Sequence, residues 1–467
     1  MTVSDIYSLM PVIILAVGSV VCLLAGAVRP GGYLYELAGT LVAVSLLWSL
    51  LIPGESVMPG VTVTPLSHFF MIFFNAAGLV VLLLSSAYNK RKKIVGEEYP
   101  ATLLFALTGM GAVCSASNLL ILFLGLEAFT FAFYILVAIE RDSVKGGEAG
   151  LKYLLNGTLS AAILAMGMAL VYVDRGTIKL SELAVGTGAG EPMFLAGVCL
   201  VLLGMAFKLS LVPAHLWTPD VYQGAPAPVT ALLSTASKAA SLAALLLLLP
   251  LFANWRGGHD ILWMLALLSM LAGNLAALVQ ENIKRMLAWS SVGQMGYVAL
   301  ALLAAPFGGL RAALFYMAVY AAASLAAFGA IAVVSDDTER DSIASLRGLG
   351  YRSPLAGAAL AIAMFSLAGI PPAAGFMGKF GVFAAALRGG EYTLVIVGIL
   401  AALVAVFFYL RIVVTLYMKP SPDPTEEVSP LLLPEIIALG VTTIATVLLG
   451  VYPQPLLNLL GKILLRL

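Results

Sequence analysis

The chain has 467 residues, of which 61% are hydrophobic and 10% are charged, with a mean hydropathy of +1.03. A soluble domain is about 45–50% apolar and about 25% charged, so this composition excludes a soluble globular enzyme, a disordered chain and a nucleic-acid-binding protein. The formal net charge of +1 provides no field that would attract a strongly charged partner. The composition therefore indicates an all-α polytopic protein embedded in a lipid bilayer.

Apolar runs of about 20 residues, long enough to cross a bilayer as helices, occur about fourteen times. We expect the first run to be a retained membrane helix, because no cation precedes it and it therefore lacks a signal-peptide pattern. The fourteen predicted spans are 8–28, 33–52, 65–88, 100–117, 118–139, 150–173, 192–212, 226–252, 260–279, 283–304, 308–334, 354–386, 393–418 and 430–451.

Two of these helices are predicted to be discontinuous, because proline removes an amide donor and clashes with the preceding turn. Helix seven runs into Pro213-Ala-His-Leu-Trp-Thr-Pro219, and helix twelve contains Gly369-Ile-Pro-Pro372. Unwound backbone at membrane depth is tolerated only where it is buried in protein or lines a wet cavity. Two broken helices five spans apart predict two inverted five-helix repeats, as in many transporters.

The same pattern divides the chain and orients it. Loops after odd-numbered helices carry more Lys and Arg, among them Lys90 to Lys93 and Lys284, than the other loops. By the positive-inside rule they face the cytoplasm, and both termini lie on the opposite side. The expected parts are an N-terminal three-helix segment (1–99), a first repeat (100–252), a second repeat (260–418) and a C-terminal helix with a tail (419–467).

Six ionisable residues are not accounted for by the predicted loops: Glu127, Lys152, Lys208, Lys238, Lys379 and Arg411. Glu127 is about nine residues into its helix, which is roughly 13 Å deep, and Lys238 is roughly 18 Å into helix eight. A charge at the helix centre costs about 2.5–3.5 kcal/mol on insertion scales. Such residues usually mark ion or proton pathways, so we expect them to face the protein interior.

The chemistry of these residues suits proton transfer. Burial disfavours the charged form of a lysine, whereas a nearby carboxylate favours it, so a buried lysine with a glutamate partner can store and release a proton. We predict Glu127 and Lys208 as this pair, with Lys238 and Lys379 as relay and exit residues. His215, beside the helix break, is a candidate carrier at neutral pH.

Structural explanations for these residues remain open at this point. A buried ion pair can simply fix helix register, and Lys379 can bind the carbonyl groups freed by the break. Lys152 can be an interfacial anchor beside Glu148. His215 can hydrogen-bond to the unwound backbone.

Several stretches resemble the antiporter-like membrane subunits of respiratory complex I. They are Gly125-Leu-Glu127, the long stretch from Phe207 to Val229, Asn282-Ile-Lys-Arg-Met-Leu-Ala-Trp-Ser-Ser291, and Gly375-Phe-Met-Gly-Lys379. The segment Val221-Tyr-Gln-Gly-Ala-Pro-Ala-Pro-Val229 resembles the N-type members rather than the L or M types. The resemblance covers nearly the whole chain.

The resemblance implies that Glu127 and Lys208 form the helix-five/helix-seven pair. It makes Lys238 the central relay and Lys379 the terminal lysine, with Lys152 and His215 as further matches. One departure is Gln294, where several relatives have a histidine; a glutamine cannot carry a proton.

The function implied is proton translocation in a complex I-type NADH:quinone oxidoreductase of a prokaryotic inner (cell) membrane or another energy-converting membrane. FMN, iron–sulfur clusters and quinone are expected in partner subunits and no cofactor or metal in this chain. Neighbouring M-type and K-type subunits are the expected partners. The electron donor stays open between NADH, ferredoxin and a deazaflavin. A stand-alone Mrp-type cation/proton antiporter is the main alternative, and a membrane scaffold without an ion path is the third.

Overall fold

The structure is a computed structural model that describes residues 3–52, 54–94, 98–183, 192–253, 255–335, 340–421 and 430–465. Most of these residues lie in α-helices, as their composition predicts. Two short strands form the one sheet found in this described part of the chain. The all-α prediction is confirmed apart from this hairpin.

The N-terminal part consists of three long helices and a short hairpin. Its elements are α1 (Val3–Val28), α2 (Tyr33–Leu51), the antiparallel strands β1 (Ser56–Met58) and β2 (Val61–Val63), and α3 (Pro65–Arg91). Gly60 turns the hairpin with a φ of 87°, which suits a residue without a Cβ. The Thr64 hydroxyl accepts a hydrogen bond from the Ser67 amide at 3.2 Å and so caps α3.

The middle of the chain forms two successive groups of helices. The first contains α4 (Glu98–Cys114), α5 (Leu119–Val137), α6 (Val144–Arg175), α7 (Leu180–Leu183), α8 (Pro192–Leu209), α9 (Trp217–Gly224), α10 (Ala227–Ser234) and α11 (Ala236–Leu248). The second contains α12 (Arg256–Leu278), α13 (Ile283–Leu303), α14 (Gly309–Val334), α15 (Leu349–Arg352), α16 (Pro354–Ala368), α17 (Ala374–Arg388) and α18 (Tyr392–Met418). Helices α19 (Leu433–Val451) and α20 (Gln454–Leu464) complete the described chain.

Matching features at the starts of α5 and α13 relate the two groups. Asn118 caps α5 by accepting a hydrogen bond from the Ile121 amide, and Asn282 caps α13 in the same way. Each asparagine also forms an isolated antiparallel bridge with a later segment, at Lys179 and at Ser342. The two caps are five predicted spans apart, an odd number, so the matching ends lie on opposite faces, as expected for inverted repeats.

A glycine nine residues before each cap allows close helix packing. A Cβ on Gly109 of α4 would lie 2.6 Å from the backbone nitrogen of Phe129 in α5. A Cβ on Gly273 of α12 would collide with the backbone of α13 at Gly293. Small residues at such contacts let helix backbones approach closely in a membrane. The exact boundaries of the four predicted parts stay a prediction.

The structure breaks the two helices that the prolines predict. Helix seven ends with α8 at Leu209 and resumes as α9, while helix twelve ends with α16 at Ala368 and resumes as α17. A third break, between α10 and α11 at Thr235, was not predicted. Here the hydroxyl groups of Ser234 and Thr235 both donate to the carbonyl of Ala231, an interaction that competes with regular helix geometry.

Twelve helices of the described part are long and apolar enough to cross a membrane, with α10, α11 and the following short turn counted as one. The other two predicted spans are helical but shorter. Helix α4 has 17 residues, and the break divides span twelve into two helices of 15 residues each. The prediction of a polytopic helical membrane protein is confirmed, and the count of fourteen stays a prediction.

A buried ion pair joins the N-terminal helix α3 to the C-terminal helix α19. Arg91, at the end of α3, contacts the Glu435 carboxylate of α19 at 2.6 Å, and the Glu435 side chain is fully buried. The same guanidinium donates to the carbonyls of Ala332 and Ser335 at the end of α14. Arg91 had been counted among the loop cations, so the sequence did not reveal this ion pair. Its geometry ties α3, α14 and α19 together.

We expect Glu435→Ala to lower the free energy of unfolding by about 3 kcal/mol, because the largely buried charge of Arg91 would lose its partner. The matched control is Glu98→Ala, since Glu98 and Arg141 form an ion pair that is largely exposed and should contribute less than about 1 kcal/mol. Denaturant titration of the protein in mixed micelles measures both values. Equal losses in the two variants would contradict the proposed contribution of the buried ion pair.

Candidate functional site

The predicted carboxylate–lysine pair is present and buried. Lys208, at the end of α8, donates to the Glu127 carboxylate of α5 at 2.9 Å and to the Thr130 hydroxyl at 2.7 Å. The exposed fractions of the two side chains are 3% and 11%. Thr130 lies one turn after Glu127, so one face of α5 presents both oxygen ligands to the ammonium group. This arrangement can hold a proton or transfer it between nitrogen and oxygen.

Lys238 lies at the break of helix seven. It belongs to the first turn of α11, and its ammonium group donates to the Leu209 carbonyl at 3.0 Å and to the Ser210 hydroxyl oxygen at 2.7 Å. Ser210 also accepts a hydrogen bond from Thr218 of α9. The carbonyl end of a helix carries a partial negative charge, which stabilises a cation. Lys238 therefore binds the end of α8 at the residue that follows Lys208 in the chain.

Lys379 has the equivalent position at the break of helix twelve. Its ammonium group donates to the carbonyls of Leu367 and Ala368, the last residues of α16, at 2.8 and 3.1 Å. The Tyr297 ring lies 5.3 Å away from the same nitrogen. Each broken helix thus ends in carbonyl groups that bind a buried lysine from a different helical segment.

A polar cluster, the Gln294 cluster, leads to Lys379. It consists of Ser290, Gln294, Tyr316 and Tyr409, all buried. The Gln294 amide nitrogen donates to the Tyr409 hydroxyl and to the Leu367 carbonyl, which Lys379 shares. The Gln294 carbonyl accepts from Tyr316, and Tyr409 is hydrogen-bonded to Ser290. Gln294 therefore orders two hydroxyl groups.

Four buried polar atoms near these residues have no hydrogen-bond partner in the described structure: Tyr134 Oη, His215 Nδ1, Tyr222 Oη and Trp289 Nε1. The centres of the His215 and Trp289 rings are 5.0 Å apart, so the unpartnered nitrogens of both rings lie in the same region beside the break of helix seven. Buried polar groups of this kind are commonly satisfied by internal water. One internal water beside the break would satisfy His215 Nδ1.

Lys152 does not join the buried residues. Its side chain is 42% exposed and contacts Glu148 at 2.7 Å and Asp220 at 2.8 Å. Arg285 of α13 binds the same Asp220 carboxylate, and these residues line an open polar cavity of about 240 Å³. The cavity connects the two groups of helices. Lys152 therefore lies at a charged surface cleft, as an interfacial residue would.

One buried lysine was assigned wrongly from the sequence. Lys284 was counted as a loop cation, but it is fully buried in the first turn of α13. Its ammonium group donates to the Ala225 carbonyl at 2.7 Å, at the end of α9. The helix breaks before and after α9 leave carbonyl groups that attract cations. These breaks could have indicated that Lys284 binds such a carbonyl. Lys284 lies next to Arg285 and therefore beside the charged cleft.

The chain is similar to known proteins over nearly its whole length. The family described as NADH:quinone oxidoreductase/Mrp antiporter, TM, is matched over residues 116–405. The chain is similar to the NADH-quinone oxidoreductase subunit N of Geotalea uraniireducens, with 52% identity over 99% of this chain and 100% of the relative. It is similarly related to the subunit N of Geobacter metallireducens, at 50% identity with the same shares covered.

Two solved structures have the same fold. A chain of respiratory complex I from Thermus thermophilus superposes with a TM-score of 0.83 at 33% identity, covering 96% of this chain and 98% of that one. A chain of the Mrp complex from Dietzia sp. DQ12-45-1b superposes with a TM-score of 0.88, covering 99% and 97%, but at 22% identity. The second likeness concerns the fold alone.

Proposed function

Since the chain belongs to the NADH:quinone oxidoreductase/Mrp antiporter transmembrane family, we propose that it carries protons across the membrane as a membrane-arm subunit of a complex I-type NADH:quinone oxidoreductase. The observation that carries the proposal is the buried Glu127–Lys208 pair with two further buried lysines at helix breaks. Ionisable residues are rare in membrane helices unless they serve transport.

The pair provides a proton site whose occupancy an external charge can change. The Glu127 carboxylate stabilises the charged form of Lys208, and any change that draws Glu127 away or neutralises it makes that form unfavourable. Lys208 then releases its proton. The next acceptor is Lys238, which binds the carbonyl of Leu209, the residue after Lys208. Proton transfer between the two nitrogens would run through water and the Ser210 and Thr218 hydroxyl groups.

The second half of the path leads from Lys238 to Lys379. The rings of His215 and Trp289, whose centres lie 5.0 Å apart, carry atoms without partners, and water beside them would connect Lys238 with the hydroxyl groups of α13. From there the Gln294 cluster reaches the Leu367 carbonyl beside Lys379. Gln294 does not titrate, so its role in this path is to orient the hydroxyl groups of Tyr316 and Tyr409. Lys379 is the exit residue. His215, beside the break of helix seven, and Lys152, in the charged cleft, are secondary residues of the path.

We expect Gln294→Leu to slow proton translocation about tenfold, because a buried donor left without its acceptor costs about 1–3 kcal/mol. The donor in question is the Tyr316 hydroxyl. Gln280→Leu is the matched control, since the Gln280 side chain, two residues after α12, donates to the Ala276 carbonyl near the end of that helix. Proton uptake by vesicles containing the complex, driven by electron transfer, measures both. A normal rate in Gln294→Leu would remove the Gln294 cluster from the path.

The remaining assignments follow from membership of such a complex. The redox reaction, with FMN, iron–sulfur clusters and quinone, would belong to partner subunits, and this chain would act as a translocase without a redox centre. Its neighbours would be an M-type and a K-type subunit. The membrane would be a prokaryotic inner membrane, with both termini on its non-cytoplasmic side.

Purification of the tagged native protein in mild detergent tests this proposal against an Mrp-type antiporter. Absorbance spectra and mass spectrometry of the co-purified subunits should reveal bound flavin and iron–sulfur clusters. A lone chain, or one accompanied only by other transporter-like subunits, would contradict the proposal. The lysines would then be exchange sites of an antiporter.

A further inference from the structure

A cavity at one membrane face lies outside the proton path. It is about 470 Å³ in volume and is bordered by the start of α2 and the end of α3. We call it the head cavity and define it by Gly31, Gly32, Tyr35, Asn89 and Lys90. A second cavity of about 420 Å³ adjoins it and shares Gly32, Tyr35 and Ser86 with it.

The second cavity continues along the membrane helices as an apolar groove. We call it the tail groove and define it by Gly39 and Ala43 of α2 and Leu79 and Leu83 of α3. Small residues on one side face leucines on the other, and a Cβ added to Gly39 would meet no atom within 4 Å. The space between the two helices at this depth is therefore open.

The depth of the two cavities matches one lipid leaflet. The eleven residues from Gly32 to Ala43 rise about 16 Å along α2, and half of the hydrocarbon core of a bilayer is about 15 Å. The polar residues lie at the helix ends and the apolar residues lie toward the centre. A transmembrane helix of a partner protein would need a groove that crosses the whole membrane. A phospholipid needs a groove one leaflet deep, with polar residues at the membrane face and apolar residues toward the membrane centre.

Polar groups in the head cavity suit a phosphate. Lys90 is in the last turn of α3, is exposed, and forms no ion pair with the part of the chain that the structure describes. The start of α2 borders the cavity through Gly31 and Gly32, and helix N-termini favour anions. The Tyr35 hydroxyl accepts a hydrogen bond from Asn89 at 2.7 Å, which leaves its own proton for a phosphate oxygen.

The same region also contains acceptors for a head-group donor. Asn89 is 2% exposed, and its carbonyl oxygen Oδ1 has no hydrogen-bond partner in the described structure. The exposed Glu36 lines the adjoining cavity and adds a carboxylate. One cation and one carboxylate balance each other, so the site favours a zwitterionic head group over one with a net negative charge. An ammonium group next to a phosphate meets both requirements.

We infer that the head cavity and the tail groove bind one phospholipid of the phosphatidylethanolamine class. Its phosphate lies at Lys90 and the start of α2, its ammonium group lies toward Asn89 and Glu36, and one acyl chain fills the groove between α2 and α3. The lipid completes the packing of the N-terminal helices and takes no part in proton transfer.

Native mass spectrometry of the complex purified through its tagged chain tests this inference. We expect one phosphatidylethanolamine to remain with the wild-type chain and to be lost in Gly39→Leu, whose side chain fills the open groove. Gly440→Leu is the matched control, because Gly440 of α19 also has open space at its Cβ and lies outside both cavities. Lys90→Gln should retain the lipid about fivefold less strongly than wild type, and Lys93→Gln should behave as wild type.

Three results would overturn the inference. One is an unchanged lipid content in Gly39→Leu. The second is equal retention of phosphatidylglycerol, which would remove the role of the head-group ammonium. The third is a disulfide between Gly39→Cys and a cysteine placed in a neighbouring subunit, because the groove would then hold a protein helix. Proton translocation should be normal in all of these variants.

Discussion

Lys208→Met is expected to lower proton translocation by at least about tenfold. The substitution keeps the length and apolar stem of the side chain but removes the group that holds the proton. It also leaves Glu127 buried without its cation, which favours the neutral carboxylic acid and prevents the pair from responding to an outside charge. Quinone reduction should fall as well if the two processes are tightly coupled. Proton uptake and quinone reduction are measured together in reconstituted vesicles.

The matched control for this variant is Lys179→Met. Lys179 also forms an ion pair with a glutamate, Glu182, at the same N–O distance of 2.9 Å, but both side chains are exposed. We expect wild-type rates there. The double variant Glu127→Gln, Lys208→Met should assemble as well as wild type, since no unpaired charge remains, and should still fail to translocate protons. Normal translocation by an assembled Lys208→Met complex would refute the proposed role of the pair.

Lys379→Met should have a similarly large effect on translocation, about tenfold or more, for a different structural reason. Among the described residues, Lys379 donates to the carbonyls of Leu367 and Ala368 at the end of α16 and contacts no carboxylate. Removing the ammonium takes one donor from each carbonyl, although Gln294 still donates to that of Leu367, and it removes the last proton site before the exit. Lys379→Arg keeps a positive charge at the helix end but cannot release a proton. It should therefore preserve assembly and abolish translocation.

Comparing Lys379→Met with Lys379→Arg distinguishes a structural role of Lys379 from a role in proton transfer. If Lys379 only stabilised the broken helix, Lys379→Arg would restore both thermal stability and translocation. If Lys379 carries the proton, the arginine variant would restore stability alone. Lys419→Met, at an exposed lysine just after α18, is the control for removing a lysine as such. Wild-type translocation in Lys379→Arg would contradict the proposed exit role.

The sequence determined the features that depend on neighbouring residues in the chain. Hydrophobic runs predict membrane helices because every backbone polar group in a bilayer must be satisfied within the segment. Pro213 and Pro372 predict the two breaks because a proline disrupts the turn before it. The cost of placing Glu127 and Lys208 in a membrane predicts a shared site, and the structure brings these residues, 81 positions apart, to 2.9 Å.

Other features depended on which surfaces the tertiary structure covers. Lys284 appears as a loop residue in the sequence but is buried under α9, whereas Lys152 lies in an open cleft with Asp220. The Arg91–Glu435 ion pair joins positions 344 residues apart. Hydropathy describes one helix at a time, so it indicates which segments enter the membrane but not which face of each helix a neighbour covers. Burial and the partners of each charge were decided only when the helices packed together.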